Sequence, residues 1–570
     1  MDHETGRRDD DHPPQGIMKN SAPYSDCKTR PLSILMAVGL GLGICHPFLY
    51  FNAYTGDGII HLVFAKNALN GSLFAFNPGK YTGGETSPGF MFILAGLMAA
   101  CGEATVPAII KTISILMLYA IGFLTYRLAK LIDIRFPFPA MLALAVLLFP
   151  STAVFGQCGC ENSWFAAGLL CLTHELLRRD WLTLPGSFSK SGEFVTGVLF
   201  GCLFLFRPEA APYAFILYTY RIVCSRHDRL LFKTALNRGV VAIAGFAAVS
   251  GAFFVWYWIH TGGMIPFTAG AARSIFERIN SCIDLGFISI NPKFLKLIIA
   301  YIALVIPAAF SLVLIKMKKL DAKTSKISGL FISVFSVFFV LYSTVLPAGH
   351  LTRYSIFLWP FLVLGGGAAL SWSWVHFASL PRMFIFKLGR RWFFAGLAIL
   401  FAVAVASETC LRNHHRIRGF RLVLSIPFTR EQRSQDFWEM LGSPSKKTVN
   451  IAAQEVQVRY WLDDRFTVFS LDGIVDNKLV DYISDDHYDH ISYLRYRDID
   501  FFPANVPHLP GGINYNRDKS SWALSDLMDL PAGEKTTKSG LTFLKLPSGW
   551  VKVIKDVRCQ DKVGGIGGEF

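Results

Sequence analysis

Charge is scarce in this chain. Asp, Glu, Lys and Arg make up 17% of its 570 residues, where a soluble domain carries about 25%. Hydrophobic residues make up 52%, and the mean hydropathy is positive. That balance excludes an ordinary soluble enzyme and points to a polytopic membrane protein. Paired cysteines are lacking too. The eleven cysteines are scattered without CxxC spacing, which argues against a zinc site or a disulfide framework. Cys158 and Cys160 form the only close pair and read as small residues. No cleavable signal peptide is visible, because the N-terminus stays polar until the first apolar run. No internal repeat is evident, and the only biased tract is the Gly-rich C-terminus.

What is present is a series of long apolar runs. The first, "LSILMAVGLGLGICHPFLYF" (32–51), is long enough to span a bilayer. Further candidates are 105–126, 137–156, 162–177, 192–206, 210–224, 239–259, 294–315, 328–347, 354–375 and 392–408, about eleven transmembrane helices in all. The run "PGFMFILAGLMAAC" (88–101) is left out, because runs of about 10–14 residues are more often interfacial or re-entrant than spanning. The net charge of +15 would suggest nucleic acid as a partner in a soluble protein. Here it is read as cationic cytoplasmic loops, with no nucleic acid and the lipid bilayer as the surrounding partner.

The cations decide the topology. If 88–101 lies in the membrane plane, the tail 1–31 and loops such as "KMKKLDAKTSK" share one side. That side then holds roughly three times the Lys and Arg of the other. The expected topology therefore has a cytoplasmic polar tail (1–31) and a transmembrane domain (32–408). A soluble α+β domain (409–570) then lies on the outer, periplasmic or extracellular face. Within 409–570 the pieces "KTVNIAA", "RFTVFSL" and "LTFLKLP" have strand character.

On this topology the unusual residues gather outside. Asp57 and His61 are spaced i, i+4 on an expected amphipathic helix 57–70, which would lie in the interface with its apolar side down. Glu85 and Lys80 follow in turn-rich pieces, "FNPGK" and "YTGGETSPG". Glu161 lies in "GCENSW", Arg207 and Glu209 in "FRPEA", and His350 and Arg353 in "AGHLTRY". Ionisable residues at a membrane edge are costly and are functional candidates by default. Each also has a plainer reading. Asp57 would cap its helix, Glu161 would cap the next span, Arg207 and Glu209 would pair with each other, and His350 and Arg353 would snorkel.

The first outer loop resembles that of GT-C glycosyltransferases, closest to the bacterial arabinofuranosyltransferase-like branch that acts on cell-envelope glycans. The matching positions are Asp57, Ala65-Lys66-Asn67, Phe76-Asn77-Pro78-Gly79 and Gly84-Glu85-Thr86-Ser87-Pro88. Later landmarks fall in the family's order: "GCENSWFAAGLL", "RPEA", "GGMIPFTAGAA", "RYSIFLWP" and "IAAQEVQVRYWLDDRFTVFSLDGIVDNKL". There are departures. Gly56 stands where the family has the first of two acids, Lys66 where it has Arg, Lys80 where Glu is common, and Phe267 where Asn is common.

The resemblance implies inverting transfer from a polyprenyl-phosphate sugar donor to a glycan or glycolipid acceptor of the cell envelope, at a bacterial plasma membrane. Asp57 is then the catalytic base that takes the acceptor proton. Arg353, Arg207, Lys80 and His350 are the candidates to bind the donor phosphate. His61, Glu85, Glu161 and Glu209 would orient these cations or bind sugar hydroxyls. No energy-carrying cofactor is needed. With one acid of the pair replaced by Gly56, a metal site built on that pair is not expected, although metal dependence stays open. Two other classes stand beside this reading. A transporter or flippase of lipid-linked sugars would show mid-span charge and internal symmetry. A non-catalytic envelope assembly protein would have lost its site.

Overall fold

In the computed structural model the described residues are 30–50, 56–135, 137–184, 187–261, 305–345, 348–379, 430–453, 459, 462–470, 483–484, 487–488, 494–503, 531–538, 541–548 and 550–554. The tail 1–29, the loop with "GGMIPFTAG" and the expected span 392–408 lie outside them.

The first part is helical. Helix α1 (Arg30–Cys45) runs into a short 3₁₀ turn. Helix α2 (Gly56–Leu69) is followed by a small hairpin, β1 (Ala75–Asn77) and β2 (Lys80–Tyr81), and then by α3 (Pro88–Cys101). Next come α4 (Val106–Leu131), α5 (Phe138–Leu148), α6 (Pro150–Gly156), α7 (Asn162–Arg178), α8 (Lys190–Phe206), α9 (Ala210–Cys224) and α10 (Arg229–Thr261). Helix α11 (Val305–Lys316), α12 (Ala322–Val345) and α13 (Ala348–Ser379) complete the series.

Among the described residues four helices are long and apolar enough to cross a membrane: Val106–Leu131, Arg229–Thr261, Ala322–Tyr342 and Ile356–Ser373. Pro88–Cys101, Phe138–Leu148 and Val305–Lys316 are shorter apolar helices. The eleven expected spans are thus not all matched, for physical reasons. The run 137–156 breaks at Phe149, whose extended backbone precedes Pro150 and cannot continue a helix. Helices α7, α8 and α9 have only 17, 17 and 15 residues.

The helical body shares one core, from Leu118 and Ile121 on α4 through Phe165 and Leu169 on α7 to Phe357 and Phe361 on α13. Outward it shows Phe215, Leu230, Ile243 and Ile259, an apolar exterior that suits lipid. Helices α8 and α10 touch backbone to backbone. A β-carbon at Gly197 would overlap the Ala242 carbonyl oxygen, and one at Gly245 would overlap that of Phe194. Small residues four apart, Gly197 and Gly201, allow this approach.

After α14 (Arg430–Met440) comes a six-stranded mixed sheet in the order β4-β3-β7-β10-β9-β8. Its strands are β3 (Val449–Ala453), β4 (Phe466–Ser470), β7 (Phe501–Pro503), β8 (Lys535–Lys538), β9 (Leu541–Lys545) and β10 (Trp550–Ile554), with a separate small hairpin of β5 (Ile483–Ser484) and β6 (His487–Tyr488). Strand β3 runs parallel to β4 and β7, and the remaining pairs are antiparallel. Phe437 of α14 packs edge-on against Phe466 and Trp550.

A second apolar core joins this sheet to the segment from α2 to α3. Phe64, Phe74, Phe76, Phe90 and Leu94 share it with Phe437, Ile451, Phe466, Val468 and Trp550. The expected amphipathic helix therefore has no solvated face along its middle. Residues 58–65 of α2 are buried on every side, within the apolar core shared by the first helices, the small hairpin and the sheet.

Candidate active site

The site begins on α2. Asp57 lies in the first turn, where a carboxylate is favoured by the helix dipole, and it is half-buried. One turn on, His61 is 2% exposed and stands between two acids. Its Nδ1 lies 2.8 Å from Glu85 Oε1 and its Nε2 lies 3.2 Å from Glu161 Oε2. Burial alone would lower the imidazole pKa, but the two carboxylates overcome it and raise the value from 6.5 to about 10. His61 is therefore an imidazolium at neutral pH. Its ring also meets Phe90 of α3 edge-on, with centroids 5.6 Å apart.

Glu85 is held from the other side as well. The Ser87 backbone N–H donates to Glu85 Oε1 at 2.7 Å, the Ser87 hydroxyl donates to the Phe206 carbonyl, and the Tyr257 hydroxyl of α10 donates to the Thr82 carbonyl at 3.1 Å. The turn-rich link "YTGGETSPG" is thus pinned to α8 and α10 rather than being a plain connector.

Glu161 immediately precedes α7 but makes no side-chain cap hydrogen bond. Its Oε1 instead accepts from Arg207 Nη1 at 2.5 Å. Arg207 closes α8 in an extended conformation, and Pro208 cannot continue that helix. The break puts Arg207 beside Glu209, so the pairing weighed from "FRPEA" is present and goes further. Arg207 Nε and Nη2 reach the two Glu209 oxygens at 3.2 and 2.6 Å, and Nη1 also donates to Asn162 Oδ1 at 2.7 Å. Tyr342 at the end of α12 donates its hydroxyl to Glu209 Oε1 at 3.3 Å. The Phe357 ring lies 5.7 Å from the guanidinium.

The result is one line of alternating charge, Glu85–His61–Glu161–Arg207–Glu209, almost wholly buried. It is built from four separate stretches of sequence. Desolvating so many ions is tolerable only where each is paired and hydrogen-bonded. The arrangement is rigid, polar and adjacent to Asp57, which shares a helix face with His61.

The remaining sequence candidates are Lys80, His350 and Arg353. Lys80 is exposed, with its ammonium 4.8 Å from the Phe469 ring of the sheet domain. His350 and Arg353 occupy the first turns of α13, one turn or more before Phe357, and their side chains lie outside the described residues. Lys66, noted for replacing Arg, pairs with Glu103 at 2.5 Å beyond the end of α3. Among the described residues no group of three or more His, Cys, Asp or Glu side chains is arranged to hold a metal ion. Asn162, Ser87 and Tyr342 belong to the charge line and were missed. Asn162 was legible only as a neighbour of Glu161, and nothing in the apolar run around Tyr342 marks it.

No family model matches the sequence, and no curated protein matches it either. Three similar solved structures come from two proteins. One is the oligosaccharyltransferase AglB from Archaeoglobus fulgidus in complex with an inhibitory peptide and a dolichol-phosphate, at TM-score 0.49 and 10% identity over 94% of this chain and 75% of that one. The A. fulgidus oligosaccharyltransferase tethered with an acceptor peptide gives 0.47 and 10%, over 84% and 69% of the two chains. ArnT from Cupriavidus metallidurans bound to undecaprenyl phosphate gives 0.44 and 13%, over 80% and 88%.

Proposed function

We propose that the chain is a GT-C type glycosyltransferase. It moves a sugar from a polyprenyl-phosphate donor to a glycan or glycolipid acceptor on the outer face of a bacterial plasma membrane. The observation that carries this reading is the buried charge line beside Asp57, at the end of an apolar helical body. The motif resemblance supports it through the same residues: Asp57, Glu85, Glu161, Arg207 and Glu209 all lie in the matched segments.

Asp57 acts as the general base. The acceptor hydroxyl oxygen attacks the anomeric carbon from the face opposite the phosphate, and its proton passes to the Asp57 carboxylate. The bond between the anomeric carbon and the phosphate oxygen breaks. Its electron pair leaves with the polyprenyl phosphate, so the anomeric configuration inverts. The charge line holds α2 in place and keeps the site's charge fixed before the reaction.

The leaving phosphate needs cations and backbone donors. Arg207 is already engaged by Glu161, Glu209 and Asn162, so in this proposal it orients those acids first. Arg353 and His350 in the first turns of α13, where backbone N–H groups also favour an anion, take the phosphate.

A transfer assay with membranes and a panel of polyprenyl-phosphate sugars tests the reading. Sugar should appear on an acceptor in a donor-dependent way. Movement of intact donor across the bilayer without transfer would replace this reading with a flippase, and the absence of both would leave an assembly protein.

A further inference from the structure

Two asparagines of the first outer loop take no part in the charge line, yet both are buried and both grip backbone. Asn67 is 5% exposed and lies on α2, six residues after His61. Its Nδ2 donates to the carbonyls of Ala75 at 2.9 Å and Phe76 at 2.8 Å. That fixes strand β1 on α2. Asn77 is the last residue of β1. Its Nδ2 donates to the Val468 carbonyl at 2.7 Å, and its Oδ1 accepts from the Val468 N–H at 3.0 Å.

The second pair of bonds has a specific meaning. A side-chain carboxamide offers one donor and one acceptor side by side, as a neighbouring strand does. Strand β4, which contains Val468, is the edge of the six-stranded sheet. An edge strand presents unpaired N–H and C=O groups along its free side. Asn77 therefore stands in for one residue of a seventh strand. Beside it, Phe469 lies against Lys80 at 4.8 Å and Arg497 at 5.2 Å. Below it, the shared apolar core continues from Phe76 to Phe466 and Val468.

We infer that Asn77 is a positioning residue: it fixes the sheet domain over the charge line, and Asn67 carries that fit to α2, the helix of Asp57 and His61. On the proposed transferase reading, the lipid donor arrives along the apolar body. The sheet shares an apolar core with α2 and is latched to the hairpin beside it, so on that reading it forms the wall on the acceptor side. Loosening Asn77 then shifts the acceptor against Asp57 while leaving the donor's seat intact.

The test uses the full chain in lipid nanodiscs. Hydrogen exchange over 466–470 reports the latch directly. In Asn77→Ala the Val468 amide should exchange about tenfold faster. If that variant folds poorly, Asn77→Asp keeps the volume and the Oδ acceptor but loses the Nδ2 donor, and an intermediate acceleration is expected. In the transfer assay, KM for the acceptor should rise about tenfold while kcat and KM for the donor stay within about twofold. Unchanged exchange would overturn the latch. Faster exchange with unchanged kinetics, or with kcat and both KM values damaged alike, would overturn the positioning role. If wild-type protein transfers no sugar at all, the transferase reading fails, and the exchange result alone judges the latch.

Discussion

His61 and Glu161 come from segments a hundred residues apart, yet the imidazole Nε2 lies 3.2 Å from the carboxylate, with both side chains 2% exposed. A histidine held this way is a fixed positive charge rather than a titrating switch near neutrality. It joins helix α2 to the start of α7, and each part of that tie is open to measurement.

The sign of the pH dependence follows from the raised pKa. His61 sits at about 10 in the folded chain against an ordinary 6.5. Its contribution to stability is fully present below 6.5 and is lost as pH rises through about 10. The difference in Tm between wild type and His61→Asn should therefore be largest in mildly acidic buffer and shrink in strongly alkaline buffer to what the ring's packing on Phe90 contributes. A pH-independent difference would show that the imidazole is not charged in the fold.

Asp57→Asn should abolish transfer while leaving expression and Tm close to wild type. The residue is half-buried at the first turn of α2, and the isosteric amide keeps its shape while losing a dipole contribution of about 0.3–1 kcal/mol. Near-normal transfer by this variant would sink the assignment of the base.

Arg207→Met removes the guanidinium that pairs with both Glu161 and Glu209, while His61 still faces Glu161; losing one partner of a buried pair costs about 3–5 kcal/mol. Thermal unfolding in detergent should show a large drop in Tm. Adding Glu161→Gln to that variant should recover part of the loss, because the two residues share one pair. Strictly additive effects would mean that the line is not a coupled unit.

A topology reporter fused at residue 320 should read cytoplasm, and one fused at 570 should read the outside. Both follow from an in-plane α3, which at 14 residues spans about 21 Å of rise, short of a bilayer core of about 30 Å. The reversed result would make α3 a crossing helix.

Much of this architecture was legible in the sequence, and the illegible parts share a cause. Helix α2 and the separate short helix α3 can be read from glycine and proline punctuation and from run length, which are local signals. Strands β3, β4 and β9 follow from short β-branched runs. Local signals also marked every member of the charge line except Asn162, Ser87 and Tyr342, whose roles arise only when distant segments meet. The burial of α2 on all sides was hidden for the same reason: the core it belongs to includes Phe466 and Val468, about four hundred residues later in the chain. Asn67 and Asn77 stood in the quoted motifs without a role, because what an amide grips is set by the fold.

The backbone contact between α8 and α10 reaches beyond packing. Gly197 and Gly245 leave no side-chain cushion between the two helices, so they can slide or tilt little without steric collision. Arg207 closes α8, and Tyr257 of α10 secures the link that carries Glu85. Arg207 and the link that carries Glu85 are therefore both tied to this close-packed pair of helices. Any movement of the helical body is then taken up by the other helices, with this close-packed pair as its fixed post.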